Sequence, residues 1–350
     1  MNRTLITGMG RSGTTLLDKL LSNHQNIEIL SQPFPLLFTE AKRAFLKQNK
    51  IEKYYVLNDN VFDGDYKLED FNAFIDTYEI SHQKVKQLFE KMKNYSGQMT
   101  KVSFNFSQKE NYTFLELFDL ILKKNLEKKD VDFFGAKEIM CEEFIPYLVQ
   151  KGTRVVVIVR DPRDVVASVN YPQKEKYLGN KKPTLFVLRG WRRTIDYIKN
   201  LKNSKNIINV KYEDLVTAPY EVLAKVTDFL GTTPFEKNHF EKGIYDRDGE
   251  LWKANTSFDT KTSFISSKSV GGYRNVLSDD EINYIESICK SEMELMGYNF
   301  DTQPNKGIIK TFKDCGIEEF EHLDKEFSSL KENIKEEIQR FQLKTNKEEK

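Results

Sequence analysis

The sequence predicts an α/β fold, a parallel sheet carried between two layers of helices. Three observations lead there. Short apolar runs such as Thr4–Thr7 and Val155–Val159 have the length of buried parallel strands. Strand candidates alternate with helix candidates along the chain, as a parallel sheet with crossover helices requires. A glycine-rich octet, Gly8-Met9-Gly10-Arg11-Ser12-Gly13-Thr14-Thr15, joins the first strand to the first helix, which is the geometry of a phosphate cradle. A chain of 350 residues with 39% hydrophobic content is long enough for one large domain with a real core. A net charge of +1 gives no reason to expect a bulk polyanion as partner.

The elements follow in order. The first strand spans 3–8, and Leu16-Leu17-Asp18-Lys19-Leu20-Leu21 carries a helix over 14–23. A second strand is expected at 27–31, followed by a long, mostly helical insertion over 34–125. Strands at 132–138 and 154–160 flank a helix at 142–151, and the five apolar residues Val155–Val159 mark the second of these as fully buried. A helix at 164–170 begins near Val165, with Asp164 or Asp161 able to cap it. Helices at 184–202 and 219–230 enclose a strand at 207–212, and a last helix of the main domain covers 279–296. The expected division is a main domain over 1–305 and a C-terminal helical extension over 306–350. In that extension Phe320, Leu323, Phe327, Leu330, Ile334 and Phe341 follow an a/d heptad, broken at Glu337. This reads equally as a homodimer helix over 320–341 or as a strap on the main domain. No internal repeat is evident.

Two segments carry the chemistry. The spacing Gly8-x4-Gly13 matches a P-loop, but Thr14 stands where a nucleotide triphosphatase has Lys, and the nearest cation is Arg11. The cradle therefore holds an anion without the lysine that reaches a γ-phosphate. The second segment is Arg160-Asp161-Pro162-Arg163 at the end of the Val155–Val159 strand, the edge where open α/β sheets bind ligands. Arg160 and Ser168, eight apart, can converge on one phosphate as a charged fork and a hydroxyl. A metal-holding Asp directly after the apolar run is absent, and Arg160 suits an extra phosphate better.

Together these segments resemble the sulfotransferases that use 3′-phosphoadenosine 5′-phosphosulfate (PAPS). The likeness rests on Arg11-Ser12-Gly13-Thr14-Thr15 after a strand and on the Arg160 and Ser168 pair. Two further stretches agree: Lys211-Tyr212-Glu213-Asp214-Leu215 after a later strand, and the loop Ser269-Val270-Gly271-Gly272-Tyr273-Arg274. The resemblance spans 3–300 with gaps and is nearer the prokaryotic and Golgi-type branch, since Arg11 stands where the animal cytosolic branch has Lys. It implies a P-loop NTPase-like sulfotransferase fold and a metal-independent, in-line transfer of sulfonate to a hydroxyl, less readily an amine. It implies that Arg11, Ser12, Gly13, Thr14 and Thr15 surround the 5′-phosphosulfate. Arg160 and Ser168 would hold the 3′-phosphate, and Ser269, Gly271, Gly272 and Arg274 would add to that clamp, with Tyr212 in the nucleotide site. Lys137 would touch the bridging oxygen or 5′-phosphate. The leaving product is adenosine 3′,5′-bisphosphate (PAP).

The chain departs from the resemblance at the general base. Gln32 in Leu30-Ser31-Gln32-Pro33 stands where the tyrosylprotein branch has Glu. Glu138, 22 residues before Arg160, is the replacement, with Glu40 and His82 as weaker candidates and His24 as structural. The 34–118 stretch holds 17 of the 43 aromatic residues, among them Phe34, Phe38, Tyr54, Tyr55, Phe104 and Phe106. It reads as a cap with aromatic walls over a small-molecule or carbohydrate-like acceptor, against the plainer reading that any one ring is ordinary core. Cys141, Cys289 and Cys315 form no metal motif and read as reduced thiols. No apolar run approaches the ~20 residues of a membrane helix. With a strand starting by residue 3, a cytoplasmic enzyme without nucleic-acid or membrane partners is expected. Two alternatives stay open: a catalytically inactive PAP- or PAPS-binding module, favoured by Gln32, and a P-loop kinase, disfavoured by Thr14.

Overall fold

The computed structural model describes residues 2–50, 67–93, 95, 99–104, 109–128, 130–172, 181–253 and 263–314. Its strands are β1 (Asn2–Thr7), β2 (Ile27–Ser31), β3 (Glu79–Ser81), β4 (Asn111–Thr113), β5 (Phe133–Lys137), β6 (Arg154–Val159) and β7 (Ile207–Lys211). The first helices are α1 (Thr14–Ser22), α2 (Pro35–Gln48), α3 (Leu68–Thr77), α4 (His82–Met92), α5 (Phe114–Lys124), α6 (Ile145–Gln150) and α7 (Pro162–Asn170). Then come α8 (Thr184–Leu201), α9 (Tyr212–Thr217), α10 (Pro219–Leu230), α11 (Asp279–Ile288), α12 (Lys290–Leu295) and α13 (Lys306–Thr311).

Five strands form one sheet in the order β2-β5-β1-β6-β7, every pair parallel. All five were expected from the sequence. β1 is central: Leu5 lies opposite Ala136 on one side and Val155 on the other. The chain runs from β1 to one edge, returns through β5 and then crosses to β6, so the strand order reverses around β1. That reversal opens the crevice where α/β sheets take ligands.

Side-chain alternation along the strands builds two cores. Leu5, Val155, Val157 and Val159 face a layer containing α2, α5, α7, α8 and α11. Ile6, Val156 and Ile158 face α1, α9 and α10 through Leu17, Leu20, Leu215 and Leu223. Full burial of each such aliphatic side chain contributes roughly 1.5–3 kcal/mol.

Three helix boundaries differ from the sequence reading. The helix expected at 164–170 starts at Pro162, because proline favours the first helical turn and Asp161 accepts a 2.9 Å hydrogen bond from the Arg163 N–H. The helix expected at 279–296 breaks at Cys289 into α11 and α12. The helix expected at 142–151 begins with a 3-10 turn over Glu142–Phe144 before α6.

The segment from 34 to 125 contributes α2 to α5 and a small antiparallel pair, β3 with β4. Most of its described rings pack on one another. Phe38 meets Phe114, Phe118 and Phe144 edge-on at centroid distances of 5.3, 5.5 and 4.9 Å. Phe34 stacks on Phe89, and Phe89 on Phe104. For these rings the plain reading holds: they are core, with Phe38 also reaching the cavity described below. Tyr54, Tyr55 and Phe106, like Cys315 and the heptad helix over 320–341, lie outside the described residues. Among the described residues no helix is long and apolar enough to cross a membrane.

Candidate active site

The site forms where the C-terminal ends of the strands meet. Gly13 opens α1 with φ 94°, and a Cβ there would lie 2.4 Å from Tyr212 Cδ2. Only glycine fits both demands. The turn is tightened by Ser12 N–H donating to Met9 O at 3.1 Å. Ser12 is fully buried, and its Oγ has no hydrogen-bond partner among the described residues.

Arg160 ends β6 under constraint from several sides. Its guanidinium donates to Arg11 O at 3.3 Å and to Ser269 O at 2.6 Å. It lies 4.6 Å over the Tyr212 ring and 3.7 Å from Asp164 Oδ2. Trp191 Nε1 holds the Arg160 carbonyl at 2.7 Å. Arg11 Nε donates to Ser168 Oγ at 3.0 Å, so the turn of the octet, the end of β6 and the last part of α7 are joined. Burial, and then the Arg160 charge, lower the Arg11 pKa. Two guanidinium groups drawn together out of water are relieved by an anion. Tyr212 OH and Ser269 Oγ, 2.7 Å apart, close the same cluster.

The later loop is arranged differently from the expectation. Asp164 does not cap α7. Its carboxylate accepts the amides of Gly271 at 2.8 Å and Tyr273 at 3.0 Å, tying the loop to the helix. Arg274 has a half-exposed side chain paired to Asp301 at 2.7 Å. Of the expected clamp, Ser269 joins the Arg160 cluster, while the Gly271 amide and Arg274 are engaged by carboxylates elsewhere. Gly272 is buried beside them in the loop.

At the end of β5, Lys137 and Glu138 are both buried. Lys137 Nζ donates to Gln32 Oε1 at 3.1 Å and lies 4.0 Å from Asp18 Oδ2. Gln32 thus partners Lys137, and its own N–H donates to Lys137 O at 2.7 Å. Burial lowers the Lys137 pKa and Asp18 opposes the shift. Glu138 Oε1 accepts the Phe34 N–H at 3.3 Å, and burial pushes its carboxyl up to about 8 against the pull of Lys137. Asp18 escaped the sequence reading. It is fully buried, and neither carboxylate oxygen has a hydrogen-bond partner among the described residues. A helical wheel held the signal, since Asp18 follows Thr14 by four positions on the buried face of α1.

Beside Glu138 is a cavity of about 170 Å³, lined by Gln32, Phe38, Thr39, Glu143 and Phe144 among others. A buried charge cluster stands behind it. Glu143 meets Lys42 at 3.2 Å and Arg193 at 3.4 Å, and Glu142 binds Arg193 as well as Thr194 Oγ1 at 2.7 Å. The weaker base candidates are elsewhere: Glu40 pairs with Lys84 at 2.8 Å, and His82 Nδ1 lies 2.9 Å from Tyr112 OH. His24 is structural, as expected; its Nδ1 accepts the Asn26 N–H at 3.1 Å and its Nε2 donates to Thr233 O at 2.8 Å. Among the described residues no group of three or more His, Cys, Asp or Glu is placed to hold a metal ion.

The chain matches the sulfotransferase domain family model over residues 1–297. No curated protein matches it. Similar solved structures include the sulfotransferase domain from the curacin biosynthetic pathway, at 16% identity over 86% of this chain and 99% of that one, TM-score 0.47. The sulfotransferase domain of the Synechococcus PCC 7002 olefin synthase is 15% identical over 85% and 96%, TM-score 0.48. A mouse sulfotransferase complexed with PAP is 14% identical over 84% and 85%, TM-score 0.44. With the family model running from β1 through α12, the chain belongs to the sulfotransferase family and is an enzyme that transfers sulfonate groups.

Proposed function

We propose that the donor is PAPS, that the acceptor is a small molecule bearing a hydroxyl, and that Glu138 is the general base. PAPS supplies an activated sulfonate whose departure leaves negative charge on PAP. The residues present fit such a donor. Among the described residues the buried Ser12 Oγ and Arg160 Nε have no hydrogen-bond partner; Ser12 follows Arg11 in the turn, and Arg160 and Ser168 both bond to Arg11. Arg11, Ser12, Gly13, Thr14 and Thr15 bind the 5′ side through loop amides, hydroxyls and the positive end of α1. Arg160, Ser168, Tyr212 and Ser269 bind the 3′-phosphate. Lys137, held by Gln32 and Asp18, offsets charge that grows on the leaving side.

The observation that carries the reading is the split at the end of β5. Successive residues of a strand point to opposite faces. Lys137 meets Asp18 on α1, beside the glycine-rich turn, while Glu138 lines the cavity under α2. A carboxyl raised to about 8 by burial is matched to taking a proton from a hydroxyl near neutral pH. Calorimetric titration tests the donor: PAP should bind without metal, and binding of ATP with Mg²⁺ but not PAP would sink the proposal.

A further inference from the structure

We infer that Glu143 selects the acceptor, taking a hydrogen bond from a second hydroxyl on a one-ring molecule whose first hydroxyl faces Glu138. The inference rests on the acceptor reading of the cavity above. Glu143 lines that cavity and its side chain is 1% exposed. One oxygen is engaged, since Oε1 accepts from Lys42 Nζ at 3.2 Å. The other, Oε2, lies 3.4 Å from Arg193 Nη1 yet has no hydrogen-bond partner among the described residues. Its neighbour Glu142 is satisfied by Arg193 and Thr194. A buried carboxylate oxygen with unused capacity, on a residue that lines a cavity walled by Pro35, Phe38 and Phe144, is a partner for a ligand donor once the side chain turns toward that space.

Charge and size narrow the class. Lys42 and Arg193 balance Glu142 and Glu143, so the cluster is already neutral as a whole. A neutral hydroxyl satisfies Oε2 without adding uncompensated charge, whereas an acceptor carboxylate would be repelled. The cavity volume of about 170 Å³ is close to the ~150 Å³ that accommodates benzene. The inner end of the acceptor is therefore one ring, with hydroxyls at two positions.

The test uses the full chain saturated with PAP and two probes of matched size, 4-(hydroxymethyl)phenol and 4-ethylphenol. Calorimetry should show the diol binding at least about tenfold more tightly, the usual effect of a hydrogen bond to a buried charged group. In Glu143→Gln, Lys42 holds the amide oxygen and the amide N–H₂ faces the cavity, so the second hydroxyl can accept only a neutral hydrogen bond in place of donating to a carboxylate. The preference should fall to about threefold or less, with PAP affinity unchanged. Equal binding of the two probes to the unaltered protein, or binding of neither while PAP still binds, overturns the inference and leaves the donor reading intact. That comparison needs no variant. Failure to bind PAP itself would overturn both.

Discussion

Glu138→Gln removes a proton acceptor from the cavity while keeping the shape of the side chain. With the carboxyl raised to about 8, about one molecule in ten is ionised at pH 7 and about nine in ten at pH 9. The rate of sulfonate transfer per unit acceptor should rise about tenfold per pH unit below pH 8 and then level. The variant should lose that rise and fall by about 10²–10⁴ in turnover. Stability offers an independent readout. The folded pKa lies above the unfolded value of 4.5, so the folded state holds the proton more tightly. That contribution is fully present below pH 4.5 and is lost as pH rises through about 8. The slope is about 1.4 kcal/mol per pH unit and flattens near pH 8, so unaltered protein should lose about 2 kcal/mol between pH 6 and pH 8 from this group, and the Gln variant none. Initial rates of PAP release and urea denaturation across pH 6 to 9 measure both. A flat rate profile, turnover within tenfold of the unaltered enzyme, or an unchanged pH dependence of stability would refute the assignment.

Arg160→Ala should weaken PAP binding about ten- to a hundredfold by calorimetry, as loss of a charged hydrogen-bonding group does; unchanged affinity would remove Arg160 from the nucleotide site. Gly13→Ala should destabilise by about 1–3 kcal/mol or more, since the residue keeps φ 94° and its Cβ meets the Tyr212 ring at 2.4 Å. The urea midpoint reads this, and a midpoint equal to the parent's would count against the turn geometry. Arg193→Met leaves Glu142 without its buried cation and Glu143 with Lys42 alone, and should cost about 3–5 kcal/mol, seen as a lower thermal midpoint. Asp164→Asn weakens the hold on the Gly271 and Tyr273 amides and should speed PAP release in stopped flow; an unchanged rate would show that the loop does not control release.

The sheet was legible because its strands, the edge strand β7 apart, are largely buried on both faces and therefore read as mainly apolar runs rather than alternations. β3 and β4 were not, being three residues each with no apolar pattern to register. The break at Cys289 was hidden for a related reason: Ile282, Ile285, Ile288 and Met293 hold the helical period across it, and no Gly or Pro marks the stop. At the site, the sequence singled out residues that announce themselves by motif, and Arg11, Arg160 and Ser168 do meet. It could not show that Arg274 prefers Asp301, because that pairing depends on a loop folding back 27 residues later. Nor could it distinguish Glu143 from an ordinary solvated carboxylate, since its partners Lys42 and Arg193 come from distant helices.

The position of β1 has a consequence for how the molecule is made. Residues 2–7 become the middle of the sheet, but both neighbouring strands lie within 133–159. Synthesis at about 5–20 residues per second leaves the strand without neighbours for roughly 6 to 30 s. During that interval Leu5 and Ile6, completely buried in the finished protein, face water beside unpaired backbone. The glycine-rich turn that follows also waits, for its contact with Tyr212 comes later still. A segment made well before its partners thus reaches its final surroundings only after they are made. Holding factors that bind short apolar segments have a natural target in β1, and pairing across so long a separation in sequence is a slow step set by topology.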